Sequence, residues 1–276
     1  MDSSPAFLNG EYLPLDECRI SVLDRGFIFG DGIYELITVY QNNAFYLTQH
    51  LERLLRSMAE IKIVSPYSDT EWKTLINNLI QQSEYDDLAI YIQVTRGIAP
   101  RDHVFPKSTQ ATVFAMANSL PIISNDHLEK GVELITSSDI RWQRCDIKVI
   151  GLLANILAKE EAAQASAAEA IMVRDGYALE GSASNLFVAR DGIINLILPG
   201  ITRDFILELL DELSVECKQQ RIPKDWLYSA DELWITSSTK EVLAATKIDG
   251  KRVADGKPGK IWRKTYDLYQ QRKIKN

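Results

Sequence analysis

Short turn sequences between runs of alternating apolar and polar residues most constrain how this chain can fold. Dipeptides of the kind that closes two-residue hairpins include Asn9-Gly10, Asp175-Gly176 and Asp191-Gly192. Such turns need positive φ, which Asn, Asp and Gly tolerate. A further hairpin is predicted over 35–47, turning at 41–43. Because helical patterns lie apart from these hairpins, the sequence predicts an α+β fold rather than a doubly wound parallel sheet.

The helices follow from residue spacing and composition. Apolar residues recurring every three or four positions predict helices at 51–61, 72–80, 203–219 and 261–273. Ser68-Asp69-Thr70 is a start signal for the second of these helices. An Ala- and Leu-rich composition predicts one more helix over 149–168, so Lys148 is expected at a helix start. Strands are predicted at 88–96, 111–117, 132–136, 170–174, 177–180, 185–189 and 232–236.

A break in these patterns divides the chain. The stretch Asn118-Ser119-Leu120-Pro121 interrupts both periodicities, and we expect the domain linker within 118–126. The sequence therefore predicts a small amino-terminal domain over 1–120 and a larger domain over 121–276.

Composition narrows the class of protein. Hydrophobic residues make up 46% and charged residues 25% of the 276 residues, which is an ordinary globular composition. The net charge of -7 argues against a general nucleic-acid binder, which needs a basic face for the phosphates. A small anionic ligand needs only a local group of basic residues, so it is not excluded.

The cysteines and apolar runs indicate the compartment. Three widely spaced cysteines form neither a disulfide framework nor a zinc pattern, which favours a reducing compartment: Cys18, Cys145 and Cys217. No basic segment followed by an apolar one is seen at the start, and no apolar run approaches the roughly 18 residues of a membrane helix. We expect a cytoplasmic protein without a membrane segment.

Two groups of basic residues could carry chemistry. Lys148 lies among apolar residues, although most lysines are simply solvated. Arg101 and His103 could donate to an anion from a Pro-rich loop, or could belong to an ordinary surface loop. The three histidines have no metal-ligand spacing.

Three segments of small residues can likewise be interpreted either as parts of a binding site or as ordinary turns and loops. Residues 181–185 (GSASN) follow Glu180 and read as a polar turn. The segment 200–202 precedes a helix, so its backbone N–H groups could bind a phosphate or merely begin the helix. The segment 237–239 offers hydroxyl groups after a strand, as many loops do.

Eight short motifs occur together in the order typical of one family. The chain resembles the fold-type-IV enzymes that use pyridoxal 5'-phosphate (PLP), and among them the D-amino acid transaminases. The motifs are DRGFIFGDGIYE (24–35), HLERL (50–54), YIQVTRG (91–97), PRDHVFP (100–106), RCDIK (144–148), LEGSASNLF (179–187), ILPGITRD (197–204) and SSTKEV (237–242). The resemblance covers nearly the whole chain and implies a two-domain fold whose larger domain has a β-barrel-like core.

The resemblance also implies the cofactor site. Lys148 would hold PLP as a Schiff base, and Glu180 would face the pyridine nitrogen and keep it protonated. The phosphate would be bound by one arginine, by backbone groups at a helix start and by hydroxyl groups: Arg53, Ile201, Thr202, Ser238 and Thr239.

The substrate site is implied in the same way. Tyr34, Arg101 and His103 match the residues that bind the substrate α-carboxylate, and the Arg-x-His pair separates D-amino acid from branched-chain transaminases in this fold. Lys148 would then move the Cα proton in a ping-pong reaction between a D-amino acid and a 2-oxo acid. In the family this loop reaches the neighbouring subunit, which implies a homodimer.

One segment departs from the family pattern. Between Asn195 and Pro199 the chain is about half a dozen residues short, at a border loop of the kind that varies in length. Either the loop is truncated or residues are missing from the sequence, and we favour the second, because a loop that borders an active site is a place for mobility. Peptide mass mapping of 190–203 distinguishes these possibilities.

Other activities of the same fold stay open. A branched-chain or (R)-amine transaminase is the nearest, and Arg101 with His103 argues against it. An aminodeoxychorismate lyase would release pyruvate without an added 2-oxo acid. A non-catalytic PLP-binding protein is disfavoured because Lys148, Glu180 and Arg53 are all present.

Overall fold

The protein consists of two compact units, seen in a computed structural model that describes residues 4–197 and 200–274. The first unit runs to Leu120 and also includes Ile147–Leu152. The second unit contains Pro121–Asp146 and the described residues from Leu153 onward. Six residues assigned by sequence to the larger domain thus belong to the first unit. The division into two folding domains stays a prediction.

The first unit is built on a six-stranded sheet in which every described pairing is antiparallel. Its spatial order is β2-β1-β6-β5-β3-β4. The strands are β1 (Pro5–Leu8), β2 (Glu11–Pro14), β3 (Gly32–Tyr40), β4 (Asn43–Ala44), β5 (Leu88–Thr95) and β6 (Thr112–Ser119). Asn9 and Gly10 have φ of 51° and 105°, so the predicted hairpin turn is confirmed. The hairpin turning near Gln41 and Asn42 is confirmed as well.

Three helices accompany this sheet: α1 (Arg25–Phe29), α2 (Leu47–Glu60) and α3 (Asp69–Gln82). The predicted start of α3 is confirmed, because Ser68 and Glu71 form a reciprocal capping box. The apolar faces of α2 and α3 bury Leu54 and Trp72 in the core of the unit.

The second unit contains a curled, half-barrel sheet of mixed direction. Its order is β12-β11-β10-β14-β15-β7-β8-β9-β13, and β16 pairs with β15. The strands are β7 (Val132–Ser138), β8 (Glu169–Arg174), β9 (Tyr177–Gly181), β10 (Asn185–Arg190), β11 (Ile193–Leu196), β12 (Cys217–Gln219), β13 (Ile222–Pro223), β14 (Glu232–Ser237), β15 (Glu241–Ile248) and β16 (Lys251–Arg252). The predicted α+β fold class is confirmed.

Four helices belong to the second unit: α4 (Asn125–Lys130), α5 (Leu153–Gln164), α6 (Ile201–Glu212) and α7 (Lys260–Arg272). The helix predicted over 203–219 is too long, because Ser214 adopts a φ of 55° and Cys217–Gln219 pairs with β11 as a strand. Leu198 and Pro199, where the short border segment ends, lie outside the described residues. No helix in the described ranges is both long and apolar enough to cross a membrane.

The helix predicted over 149–168 begins only at Leu153, so the expectation that Lys148 starts a helix is wrong. The preceding residues hydrogen-bond with β3 instead. Ile150 N–H donates to the carbonyl of Gly32, and Val149 forms a bridge with Ile33. These tertiary bonds satisfy backbone groups that a longer helix would have used.

Candidate active site

Lys148 lies on the short segment that runs beside β3 in the first unit. Tyr34 N–H donates to the Lys148 carbonyl at 2.9 Å, and the Lys148 amine lies 4.0 Å from the centre of the Tyr34 ring. Gly32 makes this approach possible, since a Cβ there would lie 2.7 Å from the Val94 carbonyl and 3.0 Å from Ile150 Cδ1. The amine is therefore presented on an aromatic face by a fixed backbone.

Tyr91 extends this aromatic surface and was not identified from the sequence. Its ring stacks on Tyr34 at 5.8 Å between centroids, and its hydroxyl donates to Gln93 Oε1 at 2.7 Å. Burial, with Tyr34 beside it, raises the pKa of Tyr91 to about 12. Its hydroxyl therefore stays protonated at neutral pH and acts as a fixed donor.

Arg53 is held by a carboxylate that sequence reasoning also missed. Its guanidinium donates to both oxygens of Glu35, at 2.6 and 2.8 Å, and Nδ1 of His50 lies 3.1 Å from Glu35 Oε1. Burial opposes the ionisation of Glu35, but the charge of Arg53 and the contacts with His50 and Arg53 together keep the pKa of Glu35 well below its usual range. Burial lowers the pKa of His50, which fits a neutral ring donating through Nδ1. Arg53 is thus aimed by a buried network.

Arg101 and His103 lie on an exposed loop between β5 and β6. Both approach the ring of Phe29: Arg101 Cζ at 5.4 Å from its centre and the His103 ring at 5.6 Å. The structure therefore brings these two predicted residues together. Among the described residues, no hydrogen bond or ring contact joins them to Lys148 or Tyr34.

Glu180 lies on β9 of the second unit, and its carboxylate accepts from Arg141. Arg141 is in turn held by the fully buried carboxylate of Asp139, at 2.9 and 3.0 Å, which Arg174 also pairs at 3.1 Å. Burial would lower the pKa of Arg141, but its hydrogen bonds to Asp139 and the charge of Glu180 raise it above its usual value. The position of the Glu180 carboxylate is therefore fixed by a row of ion pairs, from Asp139 through Arg141, that the sequence did not reveal.

The start of α6 carries Ile201 and Thr202, both buried. Its N-cap, Gly200, has no side chain to accept from the first backbone N–H groups of the helix, and a Cβ there would collide with the Asn185 amide. Arg203 Nε is buried without a hydrogen-bond partner among the described atoms. Backbone N–H groups at a helix start without a side-chain cap, next to a buried guanidinium, suit a phosphate.

Ser238 and Thr239 lie in the half-buried turn between β14 and β15. The next residue, Lys240, ion-pairs with the fully buried Glu169 at 2.5 Å. Glu169 also accepts from Ser182 and, at 3.1 Å, from Ser184. The turn after Glu180 is therefore tied through Glu169 to the turn that carries Thr239.

Glu169 is a charged side chain whose role was not visible in the sequence and is indicated only by its complete burial in the structure. Burial would raise the pKa of Glu169, but the charge and hydrogen bond of Lys240, the Ser182 hydrogen bond and the charge of Lys159 together lower it. No spacing in the sequence links Glu169 to Lys240. The residues around it could hold a cofactor anion without Glu169 itself touching it.

These groups fit the chemistry of a phosphorylated aldehyde. The first unit offers a lysine amine on an aromatic face and an arginine oriented by a buried acid. The second offers a helix start without a side-chain cap, an unpartnered buried guanidinium nitrogen and a fixed carboxylate. Each unit thus presents, by itself, groups of the kind that a phosphorylated aldehyde cofactor uses.

Comparison with known proteins gives the family. Residues 32–248 match the amino-transferase class IV family, so the chain belongs to the class IV aminotransferases. It is 42% identical to the D-alanine aminotransferase of Staphylococcus aureus (strain COL) over 96% of both chains. It is 40% identical to the D-alanine aminotransferase of Bacillus licheniformis, over 92% of this chain and 91% of that one.

A solved structure gives the same result for the fold. The branched-chain aminotransferase from the thermophilic archaeon Thermoproteus uzoniensis, solved with norvaline, matches with a TM-score of 0.90. The match covers 99% of this chain and 95% of that one, at 26% identity. The fold is therefore shared by class IV members named for different substrates.

Proposed function

We propose that this protein is a PLP-dependent transaminase that moves the amino group of a D-amino acid, such as D-alanine, to a 2-oxo acid, such as 2-oxoglutarate. The observation that carries the proposal is the 42% identity to a D-alanine aminotransferase over 96% of both chains. The arginine and histidine at 101 and 103, which share contact with Phe29, support it independently.

In this proposal each group of the cofactor site has a distinct task. When bound, PLP supplies an aldehyde that condenses with amines and a ring that withdraws electrons from the substrate Cα. The Lys148 amine would hold the aldehyde and, as the free amine, would move the Cα proton. The Glu180 carboxylate, positioned by Arg141, keeps a proton on the ring nitrogen.

The phosphate would be held by groups that the fold leaves available. The N–H groups of Ile201 and Thr202 at the start of α6 would donate to it, and the dipole of that helix favours an anion. Arg53, Ser238 and Thr239 would add a charge and hydroxyl donors. The charge of Glu35 keeps Arg53 from adopting other positions.

Substrate handedness would be set by where the α-carboxylate binds. Tyr34, Arg101 and His103 are proposed to hold it, and each charge-assisted hydrogen bond contributes about 1.5–3 kcal/mol. A substrate fixed at its carboxylate and at its amine has one remaining orientation that turns Cα–H toward Lys148. That orientation defines a single enantiomer.

A half-reaction screen tests the proposal. The purified protein is mixed with D- and L-amino acids in turn, while the absorbance of the lysine-bound cofactor is followed. We expect D-alanine to remove that absorbance and L-leucine to leave it unchanged. Lys148→Ala should lose the absorbance and reduce turnover by orders of magnitude, whereas Lys251→Ala, at an exposed lysine, should change neither. Normal absorbance in Lys148→Ala would refute the assignment.

Branched-chain transamination is the second candidate, favoured by the TM-score of 0.90 to a branched-chain aminotransferase. Loss of absorbance with L-leucine but not with D-alanine would establish it instead. Release of pyruvate from aminodeoxychorismate, with no 2-oxo acid added, would indicate the lyase activity of this fold.

We also propose that the protein is a cytoplasmic homodimer. Several large apolar side chains of the first unit are exposed in the single chain, and a second copy would cover them. These include Val22, Phe27 and Val104, which are 70%, 67% and 73% exposed. Light scattering should give twice the chain mass of 31.2 kDa, and a monomer mass would refute the dimer.

A further inference from the structure

Two buried arginines share one carboxylate in the first unit. Arg25 donates to Asp31 at 2.7 Å, and Arg96 donates to both Asp31 oxygens at 2.8 and 2.9 Å. Burial opposes the ionisation of Asp31, but the hydrogen bonds from Arg96 and Arg25 keep the pKa of Asp31 below its usual value. Because an arginine carries five N–H donors, each guanidinium can bind further groups.

Both arginines contact residues 100–106, the Arg–His loop. Arg25 Nη1 donates at 2.6 Å to the carbonyl of Asp102, the residue between Arg101 and His103. The Arg96 guanidinium lies 3.6 Å above the centre of the Phe105 ring. His103 therefore lies between two anchored positions.

A third contact supports the loop from the same region. Phe29 ends α1, and Arg25 begins it. The Phe29 ring lies 4.9 Å from Arg25 Cζ, 5.4 Å from Arg101 Cζ and 5.6 Å from the His103 ring. One aromatic ring thus contacts the buried arginine and both exposed side chains.

We propose that Asp31, Arg25 and Arg96 are positioning residues that set the affinity for the substrate α-carboxylate by fixing the Arg–His loop before substrate binds. The inference rests on the proposed function, in which Arg101 and His103 bind that carboxylate. Their loop has neither helix nor strand, so ordering it during binding would cost conformational entropy. The cluster orders the loop during folding, and preorganisation of this kind increases affinity without touching substrate.

The test compares KM with kcat in Arg25→Met. The KM for D-alanine and for 2-oxoglutarate should rise about tenfold, while kcat at saturation and the retention of PLP stay within about twofold. Phe105→Ala removes a side chain that is 49% exposed and should raise KM in the same direction without disturbing folding. The matched control is Tyr85→Ala, at an aromatic residue that is 51% exposed, with unchanged constants.

Arg101→Met, alone and combined with Arg25→Met, separates the two levels of the proposal. Since the cluster acts through the loop, adding Arg25→Met to Arg101→Met should raise KM little further. Unchanged KM in Arg101→Met would overturn the carboxylate site itself. A raised KM in Arg101→Met but not in Arg25→Met or Phe105→Ala would overturn only the positioning role. If kcat, PLP retention and thermal stability fall together in Arg25→Met while Phe105→Ala is unaffected, the cluster has only a structural role. That result would also overturn the positioning role.

Discussion

Replacing Lys240 by methionine isolates the contribution of the buried Glu169 pair. In Lys240→Met the Glu169 carboxylate, which has no exposed surface, keeps its serine donors but loses the ion pair at 2.5 Å. Removing one partner of a buried pair costs about 3–5 kcal/mol. The Lys240 side chain is 23% exposed, so solvent relieves part of this cost and the lower end applies. A loss of about 3 kcal/mol corresponds to a fall in Tm of about 6–12 °C.

The pH dependence of this loss has a defined sign. In the natural chain the pKa of Glu169 is lowered, so the pair stabilises the fold above the ordinary value of 4.5 and is lost as pH falls through the lowered pKa. In Lys240→Met only the Ser182 hydrogen bond and the charge of Lys159 still oppose burial, so the pKa of Glu169 rises relative to the natural chain. The loss of stability in Lys240→Met should therefore be full near pH 8. It should be smaller near about pH 5, where the Glu169 carboxyl of the variant takes up a proton.

Thermal unfolding of the PLP-free protein, followed by circular dichroism at both pH values, measures this difference. Lys218→Met is the matched control, because it breaks an exposed pair with Glu216 and should cost less than about 1 kcal/mol. A deficit below about 1 kcal/mol near pH 8 in Lys240→Met, or an equal deficit at both pH values, would refute the reasoning.

Three further outcomes follow from the first unit. Glu35→Gln should weaken PLP binding to the PLP-free protein about tenfold in a fluorescence titration, because Arg53 loses its ionic partner; unchanged binding would contradict this. Gly32→Ala should cost about 1–3 kcal/mol in urea unfolding, since its Cβ would lie 2.7 Å from a carbonyl oxygen, whereas Gly151→Ala, with open space, should cost far less. Tyr91 should not ionise below about pH 11 in an ultraviolet titration compared with Tyr91→Phe, because its pKa is about 12.

Local rules predicted the features that neighbouring residues decide. Asn9-Gly10 closes a hairpin because its own φ values suit the turn, and Ser68 begins α3 through a bond to Glu71, three residues away. The helix expected from Val149 failed because tertiary bonds to β3 compete there with helical ones. Propensity contains no information about a strand that is more than a hundred residues away.

The same distinction separates the candidate site residues. The motifs located Lys148, Glu180 and Arg53, because each belongs to a recognisable short segment. The charges that orient them lie far apart in sequence: Glu169 and Lys240 are 71 residues apart, and Arg141 and Glu180 are 39 apart. Pairs of this kind become visible only when folding brings them together.

The short excursion of the chain at Ile147–Leu152 has a consequence for protein engineering. A fragment that stops at Leu120 would contain the sheet of the first unit but not Lys148. A single cut after Leu120 therefore separates the sheet of the first unit from Lys148, the residue proposed to carry the cofactor. Fragment complementation would need to supply residues 147–152 in trans. After a split at Leu120, the Lys148 amine should lie beside β3 only when the two pieces reassociate.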